Sequence, residues 1–181
     1  MKARNVLPSL ILSVTCVVIP STSYAQAASD NSSVGAQLNA VKPIVAKIKR
    51  DAVQMQSYAT KTDVSWRTHA ATLTKMKDDV NELQDYMRGL QSHRTVASQW
   101  QQEAIDRITA LANDLASNMN TTIDHLKQTN GPPILPPYPA YLKANTQIVS
   151  DLSDEIDATI NYGRDKAALD RLRQKLDSSA K

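Results

Sequence analysis

From Leu38 onward, apolar side chains fall at Leu38, Val41, Val45, Ile48, Ala52, Met55 and Ala59, alternately three and four residues apart. That spacing lines one face of a helix and predicts an amphipathic α-helix. Asn31, Ser32 and Ser33 offer N-caps ahead of it. Pro43 lacks a backbone donor and clashes one turn back, which places the start of the regular part near Lys42. A second seam runs Trp66, His69, Leu73, Met76, Val80, Leu83, Met87, Leu90. The β-branched and capping residues of Thr60-Lys61-Thr62-Asp63-Val64-Ser65 break the two runs apart. The heptad phase nevertheless passes through them, so one continuous helix over residues 34–92 competes with two.

The third seam is Val96, Trp100, Ala104, Ile108, Leu111, Leu115, Met119, Thr122 and Leu126. Ser98 followed by Gln101 fits a capping box and starts the helix near Gln99, and Asn130-Gly131-Pro132-Pro133 stops it. A proline-rich link at 129–139 leads to the fourth seam, Leu142, Asn145, Val149, Leu152, Ile156 and Ile160. Gly163 marks an end or a bend, beyond which Leu169, Leu172 and Leu176 resume an apolar stripe that frays near Ser178. The four helices are expected to match in length, each about 40–45 Å. Long single-faced helices on short links bury their stripes against one another. The expectation is an all-α, antiparallel up-down-up-down four-helix bundle, with Trp66 and Trp100 as its large core aromatics. Lys47 with Asp51, Lys75 with Asp79 and Glu103 with Arg107 read as i,i+4 pairs on the outer faces.

Charge changes this picture only once the first residues are set apart. Lys2 and Arg4 precede an apolar run from Val6 to Ile19, followed by Pro20, small residues and Ala25-Gln26-Ala27. This is the order of a secretory signal peptide, too short for the roughly 20 residues of a membrane span. The expected domains are a cleaved leader at 1–27, with cleavage after Ala25 as the alternative, and one helical domain at 28–181. Cleavage removes the single cysteine, Cys16, and two of the 21 basic residues, so 19 basic face 18 acidic side chains and the mature charge is +1. A basic face for nucleic acid is then missing. No disulfide or nucleophilic thiol is expected either.

The candidate chemistry is sparse. Three residues before His69, His93 and His125 stand Trp66, Leu90 and Thr122, so the Glu-x-x-His of di-metal bundles is absent, and no metal is assigned. His69 and Asn145 sit on the seams and read as a polar core that fixes helix register. The cofactor reading is haem held by His69 or His125 opposite a methionine such as Met119. No nucleophile elbow or converging carboxylates point to catalysis.

Four segments, Ser65-Trp66-Arg67-Thr68-His69-Ala70, Ala97 to Ile108, Tyr141-Leu142-Lys143-Ala144-Asn145 and Asn161-Tyr162-Gly163-Arg164, resemble a family of uncharacterised exported bacterial helical-bundle proteins with no known activity. The resemblance spans most of the mature chain and implies export and helical character without a mechanism. The functional expectation is a periplasmic or secreted, non-enzymatic protein of the cell envelope with a binding, structural or stress-related role and no cofactor. Its partner is a protein or small ligand of the envelope, met as a monomer or homodimer without a stable membrane span. The alternative is a haem- or metal-binding bundle in electron transfer or sensing.

Overall fold

Helices form on all four seams: α1 at Ser32–Tyr58, α2 at Trp66–Ser92, α3 at Gln99–Gln128 and α4 at Tyr138–Ser179, with a 3₁₀ turn at Arg94–Val96. The structure is a computed structural model that describes residues 30–129 and 133–180. The leader, its cleavage site and residues 130–132 of the proline-rich link lie outside the described residues. Asn31 caps α1 by accepting from the Ser33 N–H, and Ser65 caps α2 by accepting from Thr68. The cap at Ser65 lets residues 59–65 turn the chain, and the continuous 34–92 helix does not form. Ser98 and Gln101 complete the capping box of α3. Pro43 does not delay α1, which starts at Ser32 with the proline inside it. Asn39 and Pro43 are both exposed, so water can satisfy the Asn39 carbonyl whose helical donor is missing.

Each helix packs on its neighbours in sequence, and α4 closes the ring against α1. Cross-helix partners run in opposite directions along every pair. Lys47 meets Asp79 while Lys75 meets Asp51; Trp66 meets Leu126 while Gln84 meets Ala112. Arg107 meets Glu155 while Asn118 meets Tyr141, and Lys42 meets Asp157 while Thr146 meets Ala52. All four interfaces are therefore antiparallel, the up-down-up-down arrangement. The seams meet in one core that includes Leu38, Ile48, Leu83, Ile108, Leu115 and Leu152. Each fully buried Leu or Ile contributes about 1.5–3 kcal/mol.

Two expectations need correction. Lys47 and Lys75 do not pair within their own helices but exchange acids across the α1–α2 interface, at 2.6 Å to Asp79 and 2.9 Å to Asp51. Likewise Arg107 binds Glu155 of α4 at 2.8 Å. The aspartates are nearly buried, because they flank the seam and the facing helix covers them. The tryptophans are not the core aromatics: Trp66 is 44% exposed, with its indole N–H donating to the Leu126 carbonyl at 3.1 Å, and Trp100 is half-buried. Both stand in the first turn of their helices, at bundle ends where no further layer covers them. Tyr138 is the large aromatic that is buried.

Helix α4 passes straight through Gly163 and is 42 residues long against 27 to 30 for the others. It spans about 63 Å where they span about 40–45 Å. Its last buried residue is Thr159, so its C-terminal part projects past the end where α1 and α3 begin. Continued through this part, the core seam would fall near Asp170, Arg173 and Asp177. Leu169, Leu172 and Leu176 each stand one residue earlier, about 100° round the helix, and are 56%, 56% and 71% exposed.

Candidate functional site

Beneath the proline-rich link, the first turn of α2 and the first turn of α4 bring His69 against Tyr138. The two rings lie 5.6 Å apart, with 3.1 Å between His69 Nδ1 and the Tyr138 hydroxyl. Tyr58 meets the His69 ring edge-on, and His125 stacks on the Tyr138 ring at 6.1 Å. The Tyr138 ring therefore packs against both histidines. His69 is fully buried and its Nε2 has no hydrogen-bond partner. Burial pushes the His69 pKa down and the Tyr138 pKa up, so both stay neutral near pH 7. His125 is only half-buried, and its Nε2 lies 3.4 Å from the Thr129 hydroxyl.

Asn145 occupies a separate polar layer. Its amide N–H donates to the Thr122 hydroxyl at 3.0 Å, its carbonyl accepts from the Asn118 side-chain amide at 2.9 Å, and the Thr122 hydroxyl donates to the Asn118 backbone carbonyl at 2.7 Å. His69 and Asn145 are thus both buried but bond different partners. Met119 is buried within the apolar cluster. Among the described residues, no group of three or more His, Cys, Asp and Glu side chains could hold a metal ion.

The opposite end carries a groove of about 620 Å³ between the first turns of α1, the first turn of α3 and α4 from Thr159 to Ala167. Val34, Leu38, Ile160 and the edge of Trp100 make its apolar lining. A clasp builds its rim. Gln101 donates to the Asn31 carbonyl at 2.9 Å and accepts from the Asn31 N–H at 2.8 Å. Asp30 accepts from the Ser98 hydroxyl and the Trp100 indole, both at 2.7 Å, and pairs with Lys166 at 3.0 Å. Burial raises the Asp30 pKa, but the hydrogen bonds from Ser98, Lys166 and Trp100 together outweigh it and hold the carboxyl below its ordinary value. The clasp fixes Trp100, whose ring lies edge-on to Tyr162 at 4.9 Å.

Two glycines shape the cavity differently. A Cβ on Gly163 would come within 3.1 Å of Trp100, so the missing side chain lets the indole lie against α4. A Cβ on Gly35 would meet nothing within 4 Å, because Gly35 borders open space. Arg164 stands at the rim largely exposed, its nearest carboxylate being Asp165 at 3.6 Å.

Sequence reasoning placed its candidates at the histidine end and missed this groove. Its residues come from three helices and the segment just before α1. The readable signals were the glycine opposite Trp100 and the capping box whose Gln101 also serves Asn31. No family model matches the chain, and no curated protein or solved structure matches it either.

Proposed function

We propose that this is an exported, non-enzymatic binding protein of the cell envelope whose groove at the Asp30 end takes a small acidic amphiphile. The open, apolar-lined cavity between α1 and α4 carries this reading. Its volume lies in the range of about 300–1,000 Å³ usual for small-molecule sites. Val34, Leu38 and Ile160 offer an apolar bed for a hydrocarbon or aromatic body. Asp30 is already satisfied by Ser98, Trp100 and Lys166, whereas Arg164 is exposed beside the cavity, so the rim favours an acidic head over a basic one. The Lys2–Ala27 leader pattern supports delivery to the envelope.

A fluorescent long-chain fatty acid tests the groove in the purified mature chain. Saturable binding is expected, with quenching of Trp100 in a Trp66→Phe background. The methyl ester should bind less tightly, and Gly35→Leu, which fills open space, should abolish binding while leaving helix content unchanged. Equal binding by the Gly35→Leu variant, or none by the parent, would overturn the site. Export is checked separately by the N-terminal mass of the protein recovered from a periplasmic fraction, expected to begin at Ala28.

A further inference from the structure

The projecting end of α4 is an amphipathic helix with no helix among the described residues against its apolar stripe. Leu169, Leu172 and Leu176 repeat three and four apart, all more than half exposed, and Tyr162 extends the stripe toward the bundle at 54% exposure. Because the stripe is out of phase with the core seam, the bundle cannot bury it by extending any other helix. Its flanks carry more cations than the stripe itself. Lys166 and Arg173 lie on one side together with Asp170 and Asp177, Lys175 lies on the other, and Asp165, at the bundle end, is the acid on the stripe itself.

Charge is distributed unevenly along the chain. Residues 164–181 hold six basic and three acidic side chains, a net +3, whereas residues 28–163 hold 13 and 15, a net −2. Lys166 is held by Asp30 and Asp170, at 3.0 Å and 3.1 Å. Arg173 is 76% exposed, 3.7 Å from Asp170. Lys175 stands exposed on the opposite edge of the stripe. Pairing with a second copy through this stripe is poorly served. With Leu169 and Leu176 at a positions and Leu172 at d, the flanking e and g positions hold Lys166, Arg173, Lys175 and neutral residues. Neither a parallel nor an antiparallel pair then gains opposite charges.

A short apolar stripe edged by Lys and Arg on a helix that projects past its bundle matches the chemistry of an anionic lipid surface, where leucines enter the headgroup boundary and cations meet phosphates. We infer that the projecting end of α4 docks the protein on anionic membrane through Leu169, Leu172, Leu176, Arg173 and Lys175. No helix among the described residues is long and apolar enough to cross a membrane, and docking at the interface needs none. The docking surface lies outside the groove and does not depend on what fills it.

Co-flotation of the mature full-length protein with vesicles tests the inference. Phosphatidylglycerol-containing vesicles should bind it and pure phosphatidylcholine vesicles should not, and raised salt should weaken the binding. Arg173→Gln with Lys175→Gln should lower the partition coefficient about tenfold or more. Leu169→Gln with Leu172→Gln should abolish binding, and Gly35→Leu should leave it unchanged. The exposed positions keep these variants folded, which circular dichroism verifies. Failure to bind either vesicle, or equal binding to both, overturns the inference. So does concentration-dependent dimerisation that the leucine substitutions remove, which would make the stripe a self-interface.

Discussion

Lys47 of α1 donates to Asp79 of α2 at 2.6 Å, although Asp51 stands four residues along on its own helix. The bond to Asp79 raises the Lys47 pKa, and Lys75 returns the exchange by pairing with Asp51 at 2.9 Å. The two pairs hold α1 and α2 in one antiparallel register. A double-mutant cycle on Lys47→Met and Asp79→Asn should give a larger coupling than one on Lys47→Met and Asp51→Asn. Asp79→Asn should also lower the melting temperature more than Asp78→Asn at the exposed neighbour. Equal coupling would mean that the cross-helix pairs do not set the register.

His69 makes stability depend on pH. Burial lowers its folded pKa below the unfolded value near 6.5, so the unfolded chain binds the proton more readily. Its contribution is therefore complete above about pH 6.5 and is lost as pH falls toward the folded pKa, with a slope no steeper than about 1.4 kcal/mol per pH unit. Urea midpoints measured from pH 7.5 to pH 5 should fall in the parent, and His69→Gln should flatten the part of the profile due to the imidazole. An unchanged profile in the variant would remove His69 as the cause.

Tyr138→Phe removes the hydroxyl beside His69 Nδ1 and leaves both ring nitrogens of a buried histidine without partners. The expected cost is about 1–3 kcal/mol by chemical denaturation. Asn145→Ala should cost about as much or more, because it strips two bonds from the Asn118–Thr122 layer and opens a cavity.

Gly35→Ala and Gly163→Ala separate helix propensity from fit. Both sites lie within helices. Alanine at Gly35 meets open space and should stabilise by about 0.5–1 kcal/mol. Alanine at Gly163 presses on Trp100 from 3.1 Å. It should stabilise less and shift the Trp100 fluorescence, since the half-buried indole must swing away from α4. Equal gains would show that Trp100 does not rest on Gly163.

The seams, the breaks at Ser65 and Ser98 and the antiparallel bundle were readable in the chain, because three-four periodicity and capping residues act locally. The pairing of Lys47 and Lys75 was not. An acid one turn away and an acid on the facing helix compete for the same ammonium, and only the helix-to-helix register decides between them. Leu169, Leu172 and Leu176 kept a helical period, yet their rotation away from the core emerges only when phase is followed from Leu142 through Gly163. The groove was the least legible, because Asp30, Trp100, Gly35 and Arg164 become neighbours only when three helices share one end.

The clasp of Asp30 with Lys166 and Trp100 puts the first described residue beside the last helix, at the end of the bundle past which α4 projects. A force pulling residues 30 and 166 apart would therefore not slide α1 along α4. It would load the clasp first and then peel the two antiparallel helices turn by turn, like the tab of a zip. Rupture should then begin at low force with Asp30 and progress gradually, while the His69–Tyr138 end, farthest from both grips, holds until last.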